Sequence, residues 1–204
     1  LKQRNSMLKN NRISDIYAWN KMLVEEGTKL DNYRKDFFDK TIEEFHTLLE
    51  ILKPYNVFDF FDVINISFFQ GWDNENSLLE ILEENQQIDI RRKTTTSGPH
   101  KSDIKFLIKD IDAKQILSRG EQKFFSILWS CAQHEVLKKH YRIDATLIID
   151  DIRSELDDRV FNLFKKLLEH NENQVIFSCI DDCFSSKISS NFKDFKKFHV
   201  EQLR

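Results

Sequence analysis

Glycine and proline are scarce in this chain of 204 residues, and their scarcity excludes several classes of protein. Four glycines and two prolines are too few for a collagen-like, linker-rich or low-complexity chain. No segment matches GxxxxGK[ST] or GxGxxG, the patterns of glycine-rich loops that bind phosphate groups. A nucleotide-binding protein with this sequence would therefore need a phosphate-binding loop outside these residues.

Cysteine and long apolar runs are scarce as well. The three cysteines, Cys131, Cys179 and Cys183, lack CxxC spacing, so we expect reduced thiols that pack as small apolar side chains, not disulfides or a zinc site. No apolar run reaches the roughly 18 to 20 residues that span a bilayer, and no apolar core of a signal peptide follows the basic start of the chain. We expect a cytoplasmic protein without a membrane segment.

What is present is typical of a folded globular protein. Hydrophobic residues make up 40% of the chain and charged residues 32%, and 18 phenylalanines supply ample apolar side chain for a core. A formal net charge of −3 does not fit a strongly basic domain that binds nucleic acid by electrostatic attraction alone. The length allows one large domain or two small ones.

The first half of the chain is predicted to be mainly helical. Over residues 13–53, apolar residues recur at helical spacing until a proline, which predicts either one long helix or a pair of helices broken near Gly27. Aromatic and β-branched residues over 58–69 predict a strand. A Ser-Leu-Leu-Glu capping box predicts a helix over 77–90.

The second half changes to short strands that alternate with helices. Two paired strands are predicted at 104–108 and 113–117, around a polar turn. The remaining predicted elements are a helix over 120–140, a strand over 146–150, a helix over 156–169, a strand over 174–180 and an edge strand over 195–202. This alternation is typical of βαβ units around a mostly parallel sheet, so the predicted fold class is α/β.

The segment LSRGEQK, Leu117 to Lys123, directly precedes the longest predicted helix of the second half. Ser118 and Gly120 would place a hydroxyl, unpaired backbone N–H groups and the positive end of the helix dipole next to an anion, which makes this a competent phosphate site. An ordinary N-cap serine gives the same pattern and is commoner. Both interpretations stay open on this segment alone.

A second segment, TLIIDDIRSELDD, places two adjacent carboxylates after a short apolar strand. Asp150 and Asp151 would lie at the carboxyl edge of the sheet, where α/β proteins bind ligands. One carboxylate can hold Mg²⁺, directly or through water, while the other orients or deprotonates an attacking water. Two solvated carboxylates that cap the next turn are the plainer alternative. The following Ser154-Glu155-Leu156-Asp157 is explained locally by a capping serine.

In this order, the segments resemble the signature motif, Walker B motif and D-loop in the second half of an ABC-type ATPase head. The finer resemblance is to the RecF family of DNA replication and repair proteins, related to SMC and Rad50 heads. That family also has GPHxxD, FHVEQ and LKQRN segments, found here at Gly98–Asp103, Phe198–Gln202 and Leu1–Asn5. Trp19 and Gly71-Trp72 match the family as well. The resemblance covers nearly the whole chain.

The resemblance implies two domains and a composite ATP site. Residues 1–97 would form a helical domain like the second domain of RecF proteins, and 98–204 the C-terminal lobe of the ATPase head. The lobe with the Walker A lysine would precede Leu1. In this family two heads sandwich ATP, so the resemblance implies an ATP-dependent homodimer.

The resemblance also implies roles for individual residues. Those that would meet the nucleotide of the opposite subunit are Ser118, Arg119, Gly120, Glu121 and Gln122. Asp150 would support Mg²⁺, and Asp151 would be the catalytic residue, where other ABC ATPases have a glutamate. The D-loop at the dimer interface would be Ser154, Glu155, Leu156 and Asp157. Many ABC heads place a histidine at the end of the next strand, but this sequence has Ser178 and Cys179 there, so no γ-phosphate sensor is assigned.

The implied function is that of a DNA-binding ATPase in recombinational repair, replication restart and the SOS response. Such a protein would dimerise on duplex DNA near single-strand gaps, assist RecA loading with RecO and RecR, and associate with the nucleoid. The parent protein would hydrolyse ATP slowly and in a DNA-dependent way, whereas this chain alone would be inactive without Walker A. The alternative is a non-catalytic structural or interaction module that retains ABC-like motifs.

Overall fold

The computed structural model describes residues 1–55, 58, 61–152, 156–171, 173–179 and 194–199. The described part combines helices with short strands, as expected for an α/β protein. The chain divides into two compact units. Unit 1 comprises Leu1–Asp39 and Asn65–Phe106, and unit 2 comprises Lys40–Ile64 and Leu107–Arg204. The boundary between residues 97 and 98 stays a prediction. None of the described helices is both long and apolar enough to cross a membrane.

Unit 1 consists mainly of helices, as the sequence predicted for this region. Its elements are α1 (Lys2–Lys9), the first part of α2 (Ile16–Leu52), β1 (Ile64–Phe69), α3 (Leu78–Glu84), α4 (Gln86–Arg92) and β2 (Asp103–Ile108). Helix α2 is continuous through Gly27, so it is one long helix and not a broken pair. The predicted helix over 77–90 is two short helices, and Ser77 caps the first with the predicted capping box.

The apolar core of unit 1 forms around Trp72. The indole packs with three buried side chains of α3, Leu78, Ile81 and Leu82, and with Leu23 and Val24 of α2. Helix α2 therefore supplies apolar side chains to this core, while Glu25 and Glu26, which directly follow Val24, are exposed.

Strand β2 continues into a hairpin that differs from the prediction. Lys109 and Asp110 both have positive φ, 49° and 66°, which is the geometry of a two-residue turn matched to strand twist. The return strand β3 is only Ile111–Asp112, antiparallel to β2, and the three-stranded sheet has the order β1-β2-β3. The strand predicted over 113–117 is wrong. Asp112 caps Lys114 N at 2.8 Å and starts helix α5 (Ala113–Ile116) instead.

Unit 2 contains the predicted alternation of strands and helices. Helix α6 (Arg119–Tyr141) is followed by β4 (Leu147–Ile149), α7 (Asp158–His170) and β5 (Val175–Phe177). The two strands pair in parallel, with Leu147 opposite Val175 and Ile149 opposite Phe177. The parallel pairing expected in this half is therefore present. The predicted closing strand is wrong over residues 195–199, which form no strand, and its remainder lies outside the described residues.

Helices α6 and α7 pack on each other through apolar faces. Phe124 and Leu128 of α6 and Phe164 of α7 are fully buried. Phe45, also fully buried, stacks at 5.3 Å from the ring of Phe125. These faces account for the helical spacing of apolar residues in the sequence.

Two titratable side chains of α6 are partly or wholly removed from water. Burial raises the pKa of the Cys131 thiol to about 12, so it is a neutral, unreactive group as expected of a buried cysteine. Cys179 is half-buried, and Cys183 lies outside the described residues. Burial lowers the pKa of His134, although the charge of Glu135 opposes this effect.

The lowered pKa of His134 predicts a pH dependence of stability. Since the folded-state pKa lies below the ordinary value of 6.5, the stabilisation is fully present above pH 6.5 and is lost as the pH falls through the folded-state pKa. We expect His134→Gln to make the fall in unfolding free energy from pH 7.5 to pH 5.5 shallower. Urea unfolding at several pH values measures this dependence of the unfolding free energy on pH. The control is His140→Gln at an exposed position of the same helix, and equal slopes for wild type and His134→Gln would contradict the prediction.

Candidate functional site

The paired carboxylates lie where the sequence placed them, directly after β4. Asp150 and Asp151 follow Ile149, the last residue of the strand, and β5 runs parallel beside it. The carboxyl ends of both strands are therefore at the same edge of the sheet, the edge at which α/β proteins bind ligands. Asp150 is exposed and Asp151 is half-buried.

One residue of the neighbouring strand contacts the whole turn that carries these carboxylates. The backbone N–H of Ser178 donates to Ile149 O at 3.0 Å, and its carbonyl accepts from Ile152 N at 3.1 Å. Its hydroxyl donates to Asp150 Oδ1 at 2.5 Å and accepts from Asp151 N at 2.8 Å. Ser178 thus hydrogen-bonds all four residues of this segment, which we call the carboxylate turn (residues 149–152).

Asp151 has an unusual backbone conformation. Its φ is +44°, in the left-handed region, which aspartate adopts more readily than most residues other than glycine but which is still less favourable than negative φ. Neighbouring side chains hold both of its peptide groups. Ser178 Oγ accepts from the N–H, and Lys123 Nζ donates to the carbonyl oxygen. Lys123 belongs to α6, the helix that follows LSRG.

The start of α6 has the geometry of a full capping box. Ser118 is the N-cap, and its Oγ accepts from Glu121 N at 3.3 Å while Glu121 Oε2 accepts from Ser118 N at 2.8 Å. Ser118 and Arg119 are exposed, and Gly120 is half-buried. The ordinary capping interpretation is thus correct locally, and it is compatible with the phosphate interpretation because the first turn of the helix faces solvent.

The side chains of Glu121 and Gln122 already have partners within the chain. Gln122 Nε2 donates to the carbonyls of Leu117 at 2.8 Å and Lys114 at 3.2 Å, which fastens α5 to the start of α6. Glu121 Oε1 lies 3.6 Å from the guanidinium of Arg159 on α7. Their role in contacting nucleotide stays a prediction.

The predicted D-loop is described only at its end. Leu156 is buried, and Asp157 is the N-cap of α7, accepting from Val160 N at 2.8 Å. The helix begins three residues later than a cap at Ser154 would place it. Ser154 and Glu155 lie outside the described residues, so their place at a dimer interface stays a prediction.

The donor set at the carboxylate turn fits Mg²⁺ bound through few protein ligands. In the described part of the chain, no group of three or more His, Cys, Asp or Glu side chains could form a metal cage. Mg²⁺ in nucleotide sites is typically held by one or two carboxylates together with phosphate oxygens and water. The exposed Asp150 carboxylate suits this arrangement, with Ser178 fixing its Oδ1.

The GPHxxD segment is held tightly within unit 1. Gly98 N donates to Gly71 O at 3.0 Å, and His100 Nε2 is 3.0 Å from Thr95 O. Arg34 of α2 donates to Pro99 O at 2.6 Å and to Ser102 Oγ at 2.7 Å. His100 thus makes a structural hydrogen bond within unit 1. The FHVEQ segment is described only at Phe198 and His199.

The LKQRN segment forms a buried polar network that the sequence did not predict. Arg4 Nη1 donates to Asp89 Oδ2 and Thr95 Oγ1, both at 2.7 Å, and Nε donates to Asn20 Oδ1 at 2.7 Å. Asn5 Oδ1 accepts from Thr95 N at 2.8 Å. The network joins α1, α2 and α4 to the segment 94–97 before Gly98.

Sequence reasoning missed Lys123 and Ser178 as contacts of the carboxylate turn. In the sequence, Lys123 is the last residue of the LSRGEQK segment, and Ser178 stands where many ABC heads have a histidine. Neither fact indicates a contact with the turn. Ser178 lies inside the strand predicted over 174–180, which in the structure ends at Phe177. The available signal was a polar residue near the end of a strand parallel to the one before Asp150, since parallel neighbours end at the same edge of a sheet.

Known proteins were compared with the chain at three levels. No protein-family model matches it. The DNA replication and repair protein RecF of Coxiella burnetii (strain Dugway 5J108-111) is 34% identical over 182 residues, covering 89% of this chain and 49% of that protein. The RecF of Shewanella frigidimarina (strain NCIMB 400) is 30% identical over 204 residues, covering 99% of this chain and 54% of that protein.

A solved structure of the recombination mediator protein RecF with ATP, from the RecFOR pathway, has a TM-score of 0.67 at 21% identity and covers 89% of this chain and 50% of that one. That structure and the described part of this chain share a fold. This chain spans about half the length of the curated relatives it matches. Over nearly its whole length it is homologous to proteins named RecF.

Proposed function

We propose that this chain is part of a RecF-type DNA repair protein that binds ATP between two copies and hydrolyses it slowly. The observation that carries the proposal is the carboxylate turn at the edge of the parallel sheet, tied to the signature helix α6 by Lys123. The order of motifs and the similarity to RecF proteins support it.

The start of α6 would bind the phosphates of ATP held by the second copy. Its N-terminal N–H groups and dipole favour an anion, and its first residues are exposed. Ser118 would exchange its long contact with Glu121 N, 3.3 Å, for a phosphate oxygen. The contacts of Gln122 to Leu117 and Lys114 would keep the preceding loop in place.

The carboxylate turn would serve the ATP held by its own copy. Asp150 would hold Mg²⁺, which when bound supplies positive charge beside the phosphates. Asp151 would orient the attacking water and accept its proton. Because aspartate is shorter than the glutamate of other ABC ATPases, it reaches less far, which agrees with slow turnover.

The sheet itself supports the idea of an incomplete head. Ile148 of β4 and Ile176 of β5 are paired and are 73% and 52% exposed. Parallel sheets are normally covered on both faces. Another part of the parent protein would cover this one, and the lobe with Walker A is our candidate.

DNA and protein partners follow from the family and not from any contact described here. The parent protein would dimerise with ATP on duplex DNA near single-strand gaps and would assist RecA loading with RecO and RecR. It would act in the cytoplasm, at the nucleoid.

The test uses the full-length protein that contains this chain, with Asp150→Asn and Ser118→Arg variants. Ser126→Arg is the matched control, because Ser126 is an exposed serine of the same helix whose Oγ donates to Gln122 O within that helix. The measurements are ATP turnover, molecular mass by light scattering with ATP, and retention of duplex DNA with a single-strand gap.

We expect Asp150→Asn to reduce ATP turnover by about 100-fold. Ser118→Arg should abolish the ATP-dependent increase in mass and the DNA retention, while ATP still binds the single copy. Ser126→Arg should keep both. A wild-type protein that binds no ATP would overturn the proposal and favour the non-catalytic interaction module. A Ser118→Arg variant that still dimerises would overturn the signature assignment.

A further inference from the structure

The carboxylate turn and the signature helix are joined within one copy of the chain, although in the proposed function they serve two different ATP molecules. Lys123 makes this link, since its Nζ donates to the carbonyl oxygen of Asp151. Lys123 lies in the second turn of α6, five residues after the N-cap Ser118. The inference below rests on the proposed function, because it concerns how the two halves of the ATP site communicate.

The direction of the Asp151 carboxylate depends on its two peptide groups. A side chain projects from the backbone in a direction set by φ and ψ, and Asp151 has φ +44°. This conformation is less favourable for aspartate than one with negative φ, so contacts with neighbours help to hold it. Ser178 holds the N–H side and Lys123 the carbonyl side. Loss of either contact would allow the residue to relax towards negative φ and turn its carboxylate away.

The two contacts with Asp151 come from different parts of the fold. Ser178 belongs to the same parallel sheet as the turn, because its N–H and carbonyl continue the ladder to Ile149 and Ile152. Its contact is therefore a fixed part of the sheet edge. Lys123 comes from a helix whose first turn would engage a phosphate. A shift or rotation of that helix end would displace Nζ relative to Asp151 O.

We propose that Lys123 is a positioning residue that couples the two ATP sites of a dimer. When the start of α6 engages the phosphates of one ATP, Lys123 holds Asp151 in the conformation needed for hydrolysis of the other. When that engagement is absent, the hold on Asp151 weakens. Ser178 supplies the constant half of the same support. The coupling runs through one hydrogen bond within the chain.

The test compares Lys123→Met, Lys123→Arg, Ser178→Ala and Ser178→Thr in the full-length protein. Arginine keeps a donor for the carbonyl and threonine keeps the hydroxyl. Lys139→Met is the control, because Lys139 of the same helix is a partnered lysine whose ion pairs with Glu44 and Glu135 lie elsewhere. Hydrogen exchange of the peptide spanning the carboxylate turn is measured without and with ATP, together with kcat and KM for ATP.

Without nucleotide, we expect exchange at the turn to be up to about tenfold faster in Lys123→Met and Ser178→Ala, the scale of one lost hydrogen bond. ATP should slow this exchange in the wild type but not in Lys123→Met. The kcat of Lys123→Met should fall about tenfold with KM within about twofold, because a positioning role affects the reacting geometry and not ground-state binding. Lys123→Arg and Ser178→Thr should have exchange rates and kcat values close to those of the wild type. Lys139→Met should match the wild type.

Three outcomes would overturn the proposal. Exchange and kcat that are both unchanged in Lys123→Met would show that the contact has no effect. A lower kcat with unchanged exchange would show that Lys123 acts elsewhere than on the turn. If ATP slowed hydrogen exchange at the carboxylate turn equally in the wild type and in Lys123→Met, Lys123 would not couple the two ATP sites. A protein that binds no ATP would defeat the proposed function instead, whereas the nucleotide-free exchange would still report on the contact.

Discussion

Replacing Arg4 with methionine is expected to lower the free energy of unfolding of unit 1 by about 3–5 kcal/mol, the cost of removing one partner from a buried ion pair. Arg4 is 1% exposed and Asp89 is fully buried, with Nη1 and Oδ2 at 2.7 Å. Methionine fills much of the same volume but leaves the Asp89 carboxylate without its counter-charge. The hydrogen bonds of Arg4 to Asn20 and Thr95 are lost at the same time.

Urea unfolding followed by tryptophan fluorescence measures this effect in a Trp129→Phe background. Trp129 belongs to unit 2, so the remaining Trp19 and Trp72 report on unit 1. The matched control is Lys29→Met, which removes a lysine that is 57% exposed and pairs with Glu25 and Glu26 on α2. Such surface pairs contribute little, so its midpoint should not move.

A double variant separates the charge from the packing. Arg4→Met with Asp89→Leu removes both charges, and we expect it to recover part of the loss of Arg4→Met, because an apolar pair in place of a buried ion pair is often tolerated. If Arg4→Met unfolds at the wild-type urea concentration, the buried network does not stabilise unit 1 and this account of LKQRN is wrong.

Replacing Gly71 with alanine is expected to lower the free energy of unfolding by about 3 kcal/mol or more, since backbone strain and a direct clash add together. Gly71 has φ +104°, where an L side chain is disfavoured. A Cβ would lie 2.1 Å from Gly98 O and 2.9 Å from Ser102 N. Both are backbone atoms, so they cannot move away without disturbing the hydrogen bond from Gly98 N to Gly71 O.

Gly27→Ala is the matched control for this variant. Gly27 lies inside helix α2, and its new Cβ would meet side-chain atoms of Leu78 and Pro99, each at 3.0 Å. The Leu78 side chain has rotatable bonds and the backbone atoms are not in the way, although the Pro99 ring is rigid, and alanine favours the helix by about 1 kcal/mol over glycine, which offsets part of this cost. We therefore expect its unfolding free energy to change far less than that of Gly71→Ala. Urea unfolding in the Trp129→Phe background compares the two, and equal losses would refute the close-approach argument at Gly71.

Local patterns determined most of the elements of this protein. The capping boxes at Ser77 and Ser118 predicted helix starts that the structure has, because a capping serine and an acid three residues on satisfy each other without distant help. The apolar run before Asp150 predicted a strand, and its parallel partner was predicted from the intervening helix. The order of the motifs indicated an ABC-type ATPase head, and the GPHxxD and FHVEQ segments indicated the RecF family.

Local patterns were wrong where two conformations compete at short range. Residues 113–117 are apolar enough for a strand, but Asp112 caps Lys114 N and the segment becomes a helix. The one long helix over 16–52 and a pair broken at Gly27 have the same apolar spacing. Periodicity describes which face is buried, and it does not say where the backbone changes direction.

The long-range contacts between residues of different motifs were decided by the tertiary structure. Arg4 reaches Asp89 across 85 positions of sequence, and Ser178 reaches Asp150 across 28. No local pattern encodes such pairs, because the loops between them close only when the core of each unit packs. The sequence thus determined which chemical groups this protein has and in what order, while packing decided which of them meet. The hydrogen bond from Lys123 Nζ to Asp151 O is one such contact, and it forms only in the folded chain.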